Sequence, residues 1–157
     1  MSQPPIMRIF LTICLLIFPF FSYNQAKATE TVQLTSDLSY KVLGENIQIL
    51  EDKNDILTHE QVLSGAYSQE FSPPGVSIPN FGYSASAFWV RFSLSNTQAL
   101  DTSWLIELDY SHMDLVDFYF RVDGQPELSY STGDSLPFNS RAMVHRNFVF
   151  PVELPSL

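Results

Sequence analysis

Phe88-Trp89-Val90-Arg91-Phe92-Ser93-Leu94-Ser95 alternates with the two-residue period of a β-strand, and the runs Trp104 to Tyr110 and Val116 to Val122 repeat the pattern shortly afterwards. In the first run Phe88, Val90, Phe92 and Leu94 fall on one face and Trp89, Arg91, Ser93 and Ser95 on the other. In the second, Trp104, Ile106, Leu108 and Tyr110 oppose Leu105, Glu107 and Asp109. The third sets Val116, Phe118, Phe120 and Val122 towards a core and leaves Asp117, Tyr119 and Arg121 facing away. Each strand therefore has an apolar face to bury and a decorated face to present. The turn signals Asn96-Thr97, Ser111-His112 and Asp123-Gly124 separate short strands as they do in a sandwich or barrel. Together these runs predict an all-β fold.

Downstream, Leu128-Ser129-Tyr130 is placed to pair behind Gly124, and a loop from Gly133 to Arg141 leads to Phe148-Val149-Phe150. Pro151 removes an amide donor there and predicts an edge or a strand end. Upstream, Val32-Gln33-Leu34 and Tyr40-Lys41-Val42 read as short strands around a Ser36-Asp37 turn, and Ile47-Gln48-Ile49-Leu50 as a longer one stopped by Glu51-Asp52-Lys53-Asn54-Asp55. Thr58 followed by Gln61 fits a capping box and predicts one short helix from about His59 to Leu63, ended by Gly65. Ser72-Pro73-Pro74-Gly75 to Gly82 is a long connection that neither a helix nor a central strand tolerates.

The first 28 residues read as a cleavable signal peptide: Arg8 gives the positive region, Ile9 to Phe21 the apolar stretch, and Ala26-Lys27-Ala28 the small-residue cleavage site. A transmembrane anchor needs about 20 apolar residues; this run is shorter, contains Pro19 and ends in polar Ser22 to Gln25. Residues 29–157 then form one domain, in keeping with a total length of 157. Cys14 is the only cysteine and leaves with the leader, so the mature domain has no disulfide. Loss of Arg8 and Lys27 leaves 6 basic against 17 acidic residues, a net charge of about −11. That balance argues against nucleic acid and anionic lipid as partners, because both require clustered Lys and Arg.

No nucleophile elbow, zinc-protease helix, phosphate-binding loop or dinucleotide fingerprint is present. His59, His112 and His145 lie too far apart for a zinc site, and Asp109, Asp114 and Asp117 do not follow a calcium-loop pattern, so neither metal nor cofactor is expected. Glu107, Asp109, Asp114 and Asp117 offer carboxylate pairs of the kind a glycosidase uses, but any acidic domain does so, and no enzyme activity is expected. What remains is the decorated face. If the three middle strands share a sheet, Trp89, Arg91, Glu107, Asp109, Asp117, Tyr119 and Arg121 share a surface. Aromatic rings beside charged hydrogen-bonding groups suit a sugar or other small polar ligand. The structural alternative is that Trp89 packs under another layer and the charges make ordinary cross-strand pairs.

Ser86-Ala87-Phe88-Trp89-Val90-Arg91-Phe92 resembles a strand of the extracellular (type 2) sensor domain of 7TMR-DISM proteins, bacterial seven-transmembrane receptors with diverse intracellular signalling modules. Trp104 to Leu108, Leu115 to Tyr119, the Gly133-Asp134 to Pro137-Phe138 to Arg141 loop, and Phe148 to Leu154 resemble the following segments in the same order. The resemblance implies a jelly-roll-like β-sandwich in the periplasm, with an output such as a diguanylate cyclase or histidine kinase beyond a downstream membrane region absent from this chain. It also implies that the chain is the front of a longer protein, with the closing strands of the sandwich missing. Arg91 and Arg141 match the family's recurrent arginines, and a loop-pinning role is expected of Arg141. The function expected is ligand sensing, the ligand being a carbohydrate-like or other small polar molecule. The alternatives are a secreted carbohydrate-binding module attached to a carbohydrate-active enzyme and, last, a glycoside hydrolase fragment.

Overall fold

A computed structural model describes residues 30–156, so the signal peptide expected over residues 1–28 lies outside the described residues. The described chain is all-β with one short α-helix and one 3-10 turn, Phe138–Ser140. Its strands are β1 (Thr31–Leu34), β2 (Gln48–Asp52), β3 (Ala87–Arg91), β4 (Ser93–Asn96), β5 (Thr102–Leu108), β6 (Val116–Phe120), β7 (Leu128–Thr132) and β8 (Phe148–Leu154), with helix α1 (His59–Leu63) between β2 and β3. They pair as four ladders: β1 with β4 in parallel, and β2 with β3, β5 with β8 and β6 with β7 antiparallel.

The alternation seen in sequence holds for β6 and, in β5, as far as Ile106; Leu108 and Tyr110, expected on the core face, are exposed at the open end of the run. Trp104 and Ile106 sit opposite Val152 and Phe150, while Phe118 and Phe120 sit opposite Tyr130 and Leu128. Trp104, Ile106, Phe118, Phe120 and Leu128 pack on a buried cluster of Val32, Leu34, Val152 and Leu154, so the parallel β1 strand and the end of β8 share one core. The Phe118 and Phe150 rings stack at 4.3 Å and 1° across the gap between the two ladders. The Asn96 amide ties the β4–β5 turn to the end of β8 by donating to the carbonyls of Leu100 (2.9 Å), Pro155 (3.0 Å) and Leu154 (3.3 Å).

Three expectations are corrected. On β3 the faces are reversed: Trp89 and Arg91 share a side with the buried Leu50 and Gln48 of β2, whereas Val90 is 47% exposed. The chain breaks at Phe92 and changes partner, from β2 for β3 to β1 for β4, and beyond the break Leu94 faces the core. Tyr40-Lys41-Val42 forms no strand and is exposed; Leu38 and Leu43 on either side pack on the core instead, each followed or preceded by a tight turn. The polar run that was expected to stop β2 in fact extends it through Asp52, whose buried carboxylate accepts from the amides of Ile56 (2.9 Å) and Leu57 (2.8 Å). Of the two readings of Pro151, an edge or a strand end, the edge is the one that agrees with the pairing. The residue lies within the strand, opposite Leu105, and β8 pairs only with β5 among the described residues.

The capping box forms as the sequence predicts, with Thr58 Oγ1 accepting from Gln61 N (3.3 Å) and Gln61 Oε1 from Thr58 N (2.9 Å). Gly65 follows the helix in a left-handed conformation, φ 82°.

Gly133 closes β7 onto the turn before β6. Its φ is 149°, a Cβ there would collide with the Asp114 carbonyl, and the next two amides donate to Met113 O (2.8 Å) and Asp114 O (3.1 Å). Gly133→Ala is expected to destabilise the domain by about 1–3 kcal/mol, since the backbone must move to admit the methyl. Urea denaturation measures this; an unchanged midpoint would show that the docking contributes nothing.

Candidate functional site

Between the β5–β8 and β6–β7 ladders the core opens into a groove of about 510 Å³, within the roughly 300–1,000 Å³ of small-molecule sites. Its floor is aromatic. Trp104 faces in because its cross-strand partner Val152 does, and its indole N–H donates to Thr102 Oγ1 at 3.2 Å, which fixes the plane of the ring. Tyr130 faces in opposite Phe118 and lies tilted against the Phe118 and Phe150 rings at 6.5 and 5.8 Å. Ser103, Gln125 and Glu153 supply polar groups at the rim. Gln125 is presented by the β6–β7 turn, where its amide donates to Val122 O at 3.0 Å. Glu153 is the one charged lining residue, so the local field favours a neutral or cationic ligand. Among the described residues, no group of three or more His, Cys, Asp or Glu is placed to hold a metal ion.

The seven candidates from the sequence fall into three neighbourhoods carried by three different ladders, and none lines this groove. Trp89 and Arg91 face inward on the β2–β3 ladder. The Arg91 guanidinium donates to Gln48 Oε1 (2.9 and 2.6 Å) and to Ser68 O (3.1 Å) and rests on the Phe71 ring at 4.0 Å; burial lowers its pKa. These contacts fasten the segment after α1 to the ladder. The Trp89 indole nitrogen is buried without a hydrogen-bond partner.

Glu107 and Asp109 are brought together by one neutral group, the buried Asn147 amide, which donates to Glu107 Oε1 at 2.7 Å and Asp109 Oδ1 at 2.6 Å. Tyr119 and Arg121 meet a third set of groups. The His59 ring of α1 stacks on Tyr119 at 3.7 Å and 9°, and Glu127 lies 3.4 Å from His59 Nε2 and 3.9 Å from Arg121 Nε. Burial of the phenol, with the Asp117, Glu127 and Glu60 carboxylates adding to it, holds Tyr119 above its ordinary pKa. The short helix therefore covers part of the face that the sequence pattern leaves open.

Alternation places Trp104 on the apolar face of its strand, and Tyr130 reads only as part of a strand pairing behind Gly124, which is why sequence reasoning passes both over as site residues. The available signal is the Gln125-Pro126 turn, which cannot continue a ladder over them.

The family 7TMR-DISM extracellular 2 matches residues 44–156. No curated protein and no solved structure matches the chain. With that match covering most of the sequence, including every strand from β2 to β8, the chain belongs to the 7TMR-DISM extracellular 2 family, the extracytoplasmic sensor domains of transmembrane receptors.

Proposed function

We propose that this domain senses a small, neutral or cationic polar ligand of carbohydrate type in the groove between the β5–β8 and β6–β7 ladders. The supporting observation is the Trp104 ring, pinned by Thr102 and set beside Tyr130 above a rim with a single carboxylate. A sugar would lay its C–H face on the indole and direct its hydroxyls to Gln125, Glu153 and Ser103. Signalling follows if the ligand binds one arrangement of the two ladders better than another, because a ligand shifts an equilibrium only by its differential affinity. In this reading the domain is a jelly-roll-like periplasmic module that follows a cleaved signal peptide, and it transmits occupancy to an output such as a diguanylate cyclase or histidine kinase. A glycosidase reading is disfavoured, because two flanking carboxylates are needed and the groove holds only Glu153.

The test is titration calorimetry against a panel of neutral and amino sugars. Trp104→Ala should weaken binding by tenfold or more, about 1.4 kcal/mol. Because Trp104 also packs on the core, the exposed rim variants Gln125→Ala and Glu153→Gln supply the control, each expected to lose about threefold or more with an unchanged denaturation midpoint. Absence of binding across the panel, or rim variants that bind like the parent, would refute the reading.

A further inference from the structure

From Phe71 to Val90 the chain carries no Asp, Glu, Lys, Arg or His, although 16% of all residues are charged, and Glu70 and Arg91 bracket the segment. Buried segments are often uncharged, but most of this one is on the surface. Ile78 is 79% exposed, Tyr83 is fully exposed, and Val76 and Phe81 are also exposed. The segment is nonetheless held in place. Ser72 and Ile49 exchange backbone hydrogen bonds at 2.8 and 3.0 Å, Phe81 stacks on Phe88 at 4.0 Å, and the chain at Ser77 packs so closely on Gly44 that a Cβ at Gly44 would strike the Ser77 carbonyl. Pro73, Pro74 and Pro79 further restrict it. A fixed, charge-free, apolar projection has little ordering entropy left to lose when it is covered.

We propose that the exposed part of this segment, residues 76–83, seats the domain on the electroneutral headgroup zone of the membrane that the receptor spans. Membership of the family puts this domain beside a bilayer. The position beside a bilayer and the charge pattern together select the occupant: shallow insertion among zwitterionic headgroups requires no charge, whereas a protein partner is oriented by charges at the rim of its contact, which this segment carries only at its ends, in Glu70 and Arg91. Tyr and Phe with aliphatic neighbours are the side chains that favour this zone. The irregular backbone keeps the contact shallow, because only the wet interface can satisfy its amides and carbonyls. With 17 acidic against 6 basic residues from Thr29 onward, the rest of the domain is repelled by anionic lipid, so the contact should prefer a neutral surface. The inference is independent of the ligand reading and places the groove-bearing ladders at a fixed attitude to the membrane.

The experiment is flotation of the chain, purified after export, with vesicles of phosphatidylcholine alone and with vesicles containing about one-third phosphatidylglycerol. The chain should float with the neutral vesicles, less so with the anionic ones, and the neutral fraction should change less than about twofold between about 50 and 500 mM salt. Ile78→Asp with Tyr83→Asp should lower it by about tenfold or more, while Leu100→Asp, also on an exposed apolar residue but outside the segment, should not. Failure to float, equal flotation of the double variant, or a concentration-dependent dimer that the double variant abolishes would each overturn the proposal, the last by assigning the surface to a second copy of the chain.

Discussion

Phe148→Ala is expected to lower the free energy of unfolding by about 3–5 kcal/mol, the largest effect of any single truncation in the β5–β8 ladder. Phe148 is 0% exposed, sits at the first position of β8 opposite Leu108, and carries the Arg141 guanidinium on its ring at 4.2 Å. Truncation removes a whole aromatic ring from a fully buried site at the start of the strand, with a charged group lying over it. The cavity cannot collapse without moving the strand or that group. Leu105→Ala supplies the comparison within the same ladder: Leu105 is 57% exposed on the outer face, and its loss should cost less than about 1 kcal/mol. Urea denaturation with a common slope reads both. A Phe148 effect no larger than that of Leu105 would mean that the start of β8 is not part of the core.

The contrast between those two residues reflects what an alternating pattern can and cannot reveal. In β6, and in β5 from Thr102 to Ile106, the period runs unbroken, so inside and outside follow from parity and Trp104, Phe118 and Phe120 were legible, whereas Leu108 and Tyr110 lie past the point where the core ends. In β3 the same logic failed because a one-residue break at Phe92 leaves no trace in the apolar pattern: Phe88, Val90, Phe92 and Leu94 still alternate perfectly in sequence. What decides that strand is its partner. Gln48 and Asp52, polar residues of β2, are buried, and each is compensated by a specific hydrogen bond that composition does not reveal. Local signals with a fixed geometry fared better, as the Thr58–Gln61 box and Gly65 show.

The candidate site was less legible than the fold for a related reason. Grouping Trp89, Glu107 and Tyr119 assumed that consecutive strands are neighbours, whereas β3, β5 and β6 each pair with a different strand, namely β2, β8 and β7. Long-range pairing is a property of the whole chain and is not encoded in any one strand. The groove is lined from both ladders, and Trp104, Phe120 and Leu128 in its lining also pack on the core, so they look like core in sequence. His59 stacked on Tyr119 makes the same point: helix existence was readable, its docking place was not.

Arg141 is where a local sequence reading and the long-range structure agree, and its replacement should separate charge from shape. The side chain is 7% exposed. One terminal nitrogen donates to Arg146 O at 2.8 Å and lies 3.5 Å from His145 O, the other donates to Asp134 Oδ1 at 3.1 Å, and the plane rests on Phe148. One guanidinium thus joins the Gly133–Arg141 loop, the turn before β8 and the first core residue of β8. Arg141→Ala should cost about 3 kcal/mol, since it leaves carbonyls unpaired, Asp134 without its cation and a void over Phe148. Arg141→Lys keeps the charge but offers a single ammonium in place of a planar fork, and cannot reach the carbonyls and the carboxylate while covering the ring. It should therefore recover less than half of the loss in a denaturation experiment. If lysine restores full stability, the residue acts through its charge on Asp134 alone; if neither variant shifts the midpoint, the loop is not pinned from this position.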